Sequence, residues 1–334
     1  MIDIEKTKEN INNMMMHRSK PKKRVDERLT AILEESLKRA DTHDVLFYQA
    51  YHIAFNDNKK FLKNLEFERN INWYVDLVVF HDDISRSIKR LKPSYSKKPD
   101  RSFLSTLYIF GDHFYNAKTE ANYFGNKKFT AMFRFKKRVH RALKAQKRGD
   151  RKRAMIHLCY ACHFLADMNE PHHVSNQIDK KGPLVKFLVK YFNINGIKEG
   201  KFSNHGAFEC RVKCWIKDGN KIKEFFGEDM DESFLLDTMP LDNENFNYLV
   251  RNDNLDVENM SELEKIQYIY TKNNDLSLDD YCEYIGRESA SYATTYVEDC
   301  NKNDTQEQMI GAIRTLNMTQ IQLARFLYYF CNLE

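Results

Sequence analysis

One segment constrains this chain more than any other: His163-Phe-Leu-Ala-Asp167-Met-Asn-Glu-Pro171-His172-His173. His163 and Asp167 are four residues apart, so on a helix they project from the same face. Pro171 ends that helix, and the chain can then return His173 towards the same point. The spacing therefore predicts a helix that presents an imidazole and a carboxylate together, with a second imidazole brought back beside them.

The same pairing recurs elsewhere in the chain. His205-Gly-Ala-Phe-Glu209 again separates a histidine and a carboxylate by four residues, and further histidines lie upstream in Thr42-His43 and in Gly111-Asp112-His113-Phe114-Tyr115. Zinc binds three or four imidazole and carboxylate ligands held on rigid elements. The pattern therefore predicts a zinc centre.

Most of the chain is expected to be helical. Its 334 residues are 42% hydrophobic with only 11 Gly and 6 Pro, which suits a helical protein with a sizeable core. We predict helices over residues 26–37, 43–54, 61–80, 120–148, 151–169, 278–298 and 305–331. A polar loop is expected over 85–102, and a charged, irregular insertion over 218–275. The sequence has no repeat and no β–α–β alternation, so we predict a single all-α domain.

The charge distribution permits phosphate-bearing partners without identifying one. The net charge is +5, and much of the excess lies in His17-Arg-Ser-Lys-Pro-Lys-Lys-Arg24. Residues 1–24 are therefore expected to form a basic, flexible tail, with attraction to an anionic membrane or a nucleic acid as the alternative. The basic helix Lys136–Lys152 is expected to be a solvated face, and it is the first place to look if a nucleic acid binds.

The sequence alone favours the cytoplasm. No run of 18 apolar residues could span a membrane, and the charged N-terminus lacks the apolar core of a signal peptide. Seven cysteines, an odd number, do not indicate a disulfide framework. Cys159 and Cys162 are expected to pack on an apolar face of the helix that carries His163.

Taken in order, these residues resemble the zinc-dependent phospholipase C family, which shares an all-helical fold with S1/P1-type nucleases. The resemblance covers roughly residues 40–334, and its most specific parts are the two His-x3-carboxylate pairs. It implies one helical domain over residues 25–334, of the phospholipase C/P1 nuclease type, with a cleft that binds up to three zinc ions. Secretion is the family-based alternative for its localisation.

The resemblance also implies a ligand set for each zinc ion. The first ion would take two carboxylates and two histidines: Asp83 or Asp82, His113, His163 and Asp167. Asp167 would bridge to a second ion, which His43 also holds. The third ion would take His173, His205 and Glu209.

The second site departs from the family pattern. Family members complete it with the amine and carbonyl of an N-terminal Trp, whereas Trp73 and Trp215 lie far downstream of His43 here. Three alternatives follow: the extension is removed, another group binds the ion, or the site is weak or empty.

The function implied by the resemblance is phosphodiester hydrolysis, with a glycerophospholipid as substrate. Asp83 would orient or deprotonate the attacking water, and Asp167 would bridge two ions. Glu209, where nucleases have Asp, favours the phospholipase branch, and Phe110 matches an aromatic residue that contacts a choline headgroup. The alternatives are a nuclease or other phosphoesterase on the same fold, and a non-catalytic metal- or lipid-binding relative.

The expected partners follow from this function. We expect a monomer that takes a phospholipid or other phosphodiester and makes peripheral contact with a membrane surface, with nucleic acid as the weaker alternative. The remaining histidines are expected to be surface or hydrogen-bonded residues: His52, His81, His140, His157 and His172.

Overall fold

The computed structural model describes residues 42–58, 111–179, 202–217, 235–241, 244–251 and 253–333. Within these ranges the α-helices are α1 (Thr42–Asp57), α2 (Ala131–Gln146), α3 (Arg151–Asp167), α4 (Pro171–Val174), α5 (His205–Lys217), α6 (Glu244–Val250), α7 (Glu262–Thr271), α8 (Leu278–Thr294), α9 (Val297–Asn301) and α10 (Thr305–Cys331). A short 3-10 helix spans Val257–Asn259. Two short strands, β1 (Ile178–Asp179) and β2 (Phe202–Ser203), pair in parallel. The described part of the chain is therefore almost entirely helical, as predicted.

The helices begin where capping side chains satisfy the first backbone N–H groups. Thr130 accepts a hydrogen bond from the Phe133 N–H at the start of α2, and Asp150 accepts one from the Arg153 N–H at the start of α3. Gly149 adopts a φ of +74° between the two helices, a conformation that glycine takes without a Cβ clash. The turn folds α3 back against α2 and directs its C-terminal end into the core.

Helix α10 forms the centre of the molecule. Most of its residues are buried, and it packs against α1, α8 and α9. On its flank, Phe135 of α2 meets Phe326 of α10 with ring centroids 5.0 Å apart. Within the described ranges no helix has both the length and the apolar character needed to cross a bilayer. Cys159 and Cys162 are buried in this core, as predicted, and burial raises the pKa of the Cys162 thiol well above its usual value.

Three sequence-based expectations about secondary structure are corrected. The single helix predicted over 278–298 is two helices, because α8 ends at Thr294 and α9 begins at Val297. Residues 120–130 are a turn rather than the beginning of a helix, because the Asn122 side chain accepts hydrogen bonds from the backbone N–H groups of Phe124 and Asn126. The range 218–275 is not irregular throughout, since it contains α6 and α7. Helix α7 has a capping box at Ser261, and only Ile269 and Tyr270 of its residues are buried, so its composition remains polar.

The boundaries of α1, α3 and α10 agree with the prediction to within about two or three residues, the usual uncertainty of helix ends. Other predicted features lie outside the described residues: the basic tail, the helices at 26–37 and 61–80, and the loop at 85–102.

Candidate metal centre

The centre forms around the last residue of α3. Asp167 and His163 both have no solvent exposure, and they lie on one face of the helix as the i, i+4 spacing predicted. Three other elements bring histidines to the same carboxylate. His43 lies in the first turn of α1, His113 in the segment before α2, and His173 on α4.

Each oxygen of Asp167 faces a different pair of imidazoles. Asp167 Oδ2 lies 2.8 Å from His113 Nδ1 and 3.4 Å from His163 Nε2. Asp167 Oδ1 lies 3.2 Å from His173 Nδ1 and 3.6 Å from His43 Nε2. The two nitrogens on the Oδ2 side, His113 Nδ1 and His163 Nε2, are themselves 3.2 Å apart. A carboxylate arranged in this way can bind two cations, one through each oxygen.

The electrostatics of Asp167 favour its charged form. Burial pushes the pKa of this carboxyl upward, but His163 and His113, together with the hydrogen bond from His113, hold the pKa well below its usual value. Asp167 is therefore an anion in a buried setting, and a buried anion is stable only with partners of opposite charge or with a metal ion.

The donor atoms fit a zinc ion. Zinc bonds to nitrogen and oxygen of about 2.0–2.2 Å place tetrahedral ligand atoms roughly 3.3 Å apart, close to the separations around Asp167. One nitrogen or oxygen atom each from His43, His163 and Asp167 lies within 4.8 Å of the other two. In the described part of the chain, Asp167 Oδ1 and His173 Nδ1 have no hydrogen-bond partner although they are 3.2 Å apart. A cation between these atoms would satisfy both.

A second cluster lies on the other side of His173. His205 Nε2 is 3.1 Å from Glu209 Oε1, one turn further along α5, and His173 Nε2 is 3.9 Å from the same oxygen. Burial raises the pKa of Glu209, but His205 and His173 lower it below its usual value. The three residues predicted for the third ion are therefore brought together, with ligand atoms within 4.8 Å of one another. The His173 ring faces both clusters, Nδ1 towards Asp167 and Nε2 towards Glu209.

Sequence reasoning missed Glu170. Its Oε1 accepts a hydrogen bond from His172 Nδ1 at 2.7 Å, its Oε2 accepts one from the His173 backbone N–H at 2.6 Å, and Oε2 lies 3.7 Å from His205 Nε2. Glu170, His172 and His205 form a further group that could hold a metal ion. Burial raises the pKa of Glu170, but His172 and His205 lower it strongly. Its place directly before Pro171 was the available signal, because proline favours the first helical position and the preceding residue caps the helix.

Four of the histidines that were expected to be surface or hydrogen-bonded residues lie in the described part of the chain: His52, His140, His157 and His172. His172 is fully buried, stacks on His205 with ring centroids 5.0 Å apart, and so lies beside the centre. His52 is buried, and His140 pairs with Asp279. Asp112, next to His113, binds Arg134 instead of joining the cluster. Four residues singled out from the sequence lie outside the described residues: His81, Asp82, Asp83 and Phe110.

This geometry agrees with the comparison to known families. The profile of the zinc dependent phospholipase C family matches residues 94–275, which is more than half of the chain. This chain belongs to the zinc dependent phospholipase C family. The matched range contains six of the convergent residues: His113, His163, Asp167, His173, His205 and Glu209.

One solved structure, an alpha toxin, shows the same fold. The alpha toxin from Clostridium absonum superposes with a TM-score of 0.52 at 16% identity, covering 87% of this chain and 64% of the toxin. The alpha-toxin of Clostridium perfringens from an avian strain gives a TM-score of 0.46 at 16% identity, with 88% and 64% covered. This chain thus spans less than two thirds of the toxin's length, and the likeness is one of fold. No curated protein matches the sequence.

Proposed function

We propose that this chain is a zinc-dependent phosphodiester hydrolase that cleaves glycerophospholipids to diacylglycerol and a phosphorylated headgroup. The observation that carries the proposal is the environment of Asp167, in which each carboxylate oxygen faces two imidazole nitrogens. Hydrolases of phosphate esters use pairs of metal ions about 3.5–4 Å apart, and a shared carboxylate sets such a separation.

The residues have distinct roles in this proposal. His113, His163 and Asp167 would hold the first ion, His43 and the other oxygen of Asp167 the second, and His173, His205 and Glu209 the third. Bound zinc would supply a Lewis acid for the phosphoryl oxygens and lower the pKa of bound water to about 7.

Neighbouring residues of the protein fix the charge and the orientation of these ligands. Asp167 stays ionised because the surrounding imidazoles hold its pKa low. Glu170 accepts the His173 backbone N–H and so fixes the start of α4, which sets the direction of the His173 ring. The proposal keeps Asp83, or its neighbour Asp82, as the carboxylate that orients the attacking water.

A substrate panel and a zinc count on the same sample test the proposal. The purified chain is assayed on phosphatidylcholine, bis(p-nitrophenyl) phosphate and single-stranded DNA, and zinc is measured by mass spectrometry. We expect release of diacylglycerol and three ions per chain. Cleavage of DNA without cleavage of phosphatidylcholine would instead favour a nuclease, and no hydrolysis with one ion or none would favour a non-catalytic relative.

Asp167→Asn provides the matched perturbation. Because Asn keeps the shape but loses the charge and one metal-binding oxygen, we expect loss of hydrolysis and of more than one zinc ion. His140→Asn, at an exposed position, is the control and should leave both unchanged. Asp167→Asn activity within about threefold of wild type, a difference of under 1 kcal/mol in the barrier, would remove the bridging role.

A further inference from the structure

One surface beside the metal centre combines exposed aromatic rings with a stripe of basic side chains. Three of the five large hydrophobic side chains exposed within the described ranges lie between residues 124 and 133: Phe124, Phe129 and Phe133, at 44%, 37% and 39% exposure. Exposed apolar residues scattered singly are ordinary, but a cluster marks an interaction site.

Cations accompany these rings. The guanidinium of Arg134 lies 5.8 Å from the centroid of the Phe129 ring, and Lys137 Nζ lies 5.6 Å from that of Phe133. The two rings are 6.5 Å apart, so they form one continuous patch. Aromatic rings that lie among cations suit the boundary between charged headgroups and acyl chains.

The basic stripe continues along α2. This helix contains six Lys and Arg residues and no Asp or Glu. Lys137, Arg141 and Lys144 follow Phe133 at helical spacing and so share its face. Lys136 lies on a neighbouring face and pairs with Glu283 at 3.1 Å, and Arg134 pairs with Asp112. Among the residues that the structure describes, Lys137, Arg141 and Lys144 form no ion pair. Partial burial and then the nearby charge of Arg141 lower the pKa of Lys137, which shows that like charges gather here.

Phe124 is linked to the metal centre through a series of tilted and edge-on ring contacts. Phe124 contacts Tyr123 with ring centroids 4.3 Å apart, Tyr123 contacts Phe114 at 4.7 Å, and Phe114 contacts His173 at 4.7 Å. A surface docked on Phe124 would therefore lie close to the ligands of the centre.

We propose that this surface docks the protein on an anionic phospholipid bilayer, with the rings in the headgroup region and the basic stripe over anionic headgroups. We call it the aromatic–basic face, and it consists of Phe124, Phe129, Phe133, Lys137, Arg141 and Lys144. The aromatic rings favour a bilayer over a nucleic acid. Positive charge alone would suit either partner, but exposed phenylalanines beside cations suit the boundary between headgroups and acyl chains. The inference extends the proposed function, because a phospholipid substrate lies in such a surface.

The test is co-sedimentation of the full chain with vesicles of phosphatidylcholine and phosphatidylserine, and in parallel of phosphatidylcholine alone. We expect wild type to bind the anionic vesicles more tightly, and the triple variant Lys137→Gln, Arg141→Gln and Lys144→Gln to bind them on the order of 100-fold more weakly, since each basic residue near an anionic surface contributes about fivefold. Failure of wild type to bind, or equal binding by the triple variant, would overturn the proposal.

The matched control removes the same charge elsewhere. Lys213, Arg251 and Lys265 lie on α5, after α6 and on α7, outside the aromatic–basic face. The triple change of these residues to Gln should leave vesicle binding within about twofold of wild type, because side chains outside the docking surface lie further from the headgroups and their attraction is screened. An equal loss in both triples would show that only net charge matters and would overturn the assignment to this face.

The aromatic contribution is tested separately. Phe133→Ser should weaken vesicle binding by roughly tenfold, as expected for partial burial of one aromatic ring. Leu263→Ser is the control, because Leu263 is 72% exposed on α7, away from this face. Equal effects of the two changes would remove the rings from the docking surface.

Two further measurements distinguish membrane docking from nucleic-acid binding and from the proposed hydrolytic activity. Single-stranded DNA binding is measured on the same proteins, and loss of DNA binding by the basic triple with vesicle binding retained would assign the face to nucleic acid instead. Hydrolysis of bis(p-nitrophenyl) phosphate, a soluble substrate, should be unchanged in the triple variant. If no protein hydrolyses it, the proposed function fails while the vesicle comparison still decides the docking surface.

Discussion

Glu170 offers the sharpest test of how the metal ligands are held. Its carboxylate accepts hydrogen bonds from His172 Nδ1 and from the His173 backbone N–H, and it lies 3.7 Å from His205 Nε2. Glu170→Gln keeps the size of the side chain and one acceptor oxygen. It removes the charge and replaces the second acceptor with an amide that faces a donor.

The expected loss of zinc affinity follows from these contacts. A hydrogen bond to a charged group contributes about 1.5–3 kcal/mol. Loss of an outer-shell partner of a metal-bound histidine weakens metal affinity about 10–100-fold, which corresponds to about 1.4–2.7 kcal/mol. The two estimates agree. We therefore expect Glu170→Gln to weaken the binding of the zinc ion held by His173, His205 and Glu209 by about 10–100-fold. The ion held by His113 and His163 should keep its affinity.

The measurement is competition for zinc with a chromophoric chelator, which resolves the individual affinities. Glu258→Gln is the control, since Glu258 is exposed and distant from the centre. Affinities within about threefold of wild type for all ions would refute the positioning role, because that difference is under 1 kcal/mol. Complete loss of one ion would show that Glu170 binds metal directly.

Two further predictions concern stability. Burial and then the nearby charge of Arg138 lower the pKa of His157 to about 4. The unfolded chain therefore binds more protons than the folded chain between pH 4 and 6.5. The contribution of neutral His157 to the free energy of unfolding is complete above pH 6.5 and is lost as the pH falls towards 4. His157→Gln should therefore lose less thermal stability than wild type between pH 7 and 5, measured by melting temperature with His140→Gln as control; equal losses would contradict this. Phe135→Ala should lower the free energy of unfolding by about 3–5 kcal/mol in denaturant titration, because Phe135 is fully buried, while Phe133→Ala, at the exposed neighbour, should cost under 1 kcal/mol; similar costs at both positions would argue against the core assignment.

Local spacing is what the sequence determined by itself. The four-residue separations of His163 from Asp167 and of His205 from Glu209 act through the helical period alone, so each pair could be placed on one face without knowledge of the rest of the fold. The same holds for Asp150 as the cap of α3, since its hydrogen bond joins residues three apart. The helix predicted over 305–331 likewise matches the bounds of α10, whereas the burial of its many polar residues was not predicted.

Only the tertiary structure decided how these pairs meet. Asp167 contacts His113 and His43, 54 and 124 residues earlier in the chain, so the allocation of its two oxygens depends on how α1 and the 111–115 segment pack against α3. The position of Glu170 between His172 and His205 required the short helix α4 to meet α5. The turn at 120–130 shows the same limit, because the Asn122 amide also donates to the carbonyl of Phe129, a local alternative to helix that periodicity does not register. Helical period acts within a few residues, whereas the shape of the centre arises from contacts between helices far apart in sequence, whose packing no local pattern specifies.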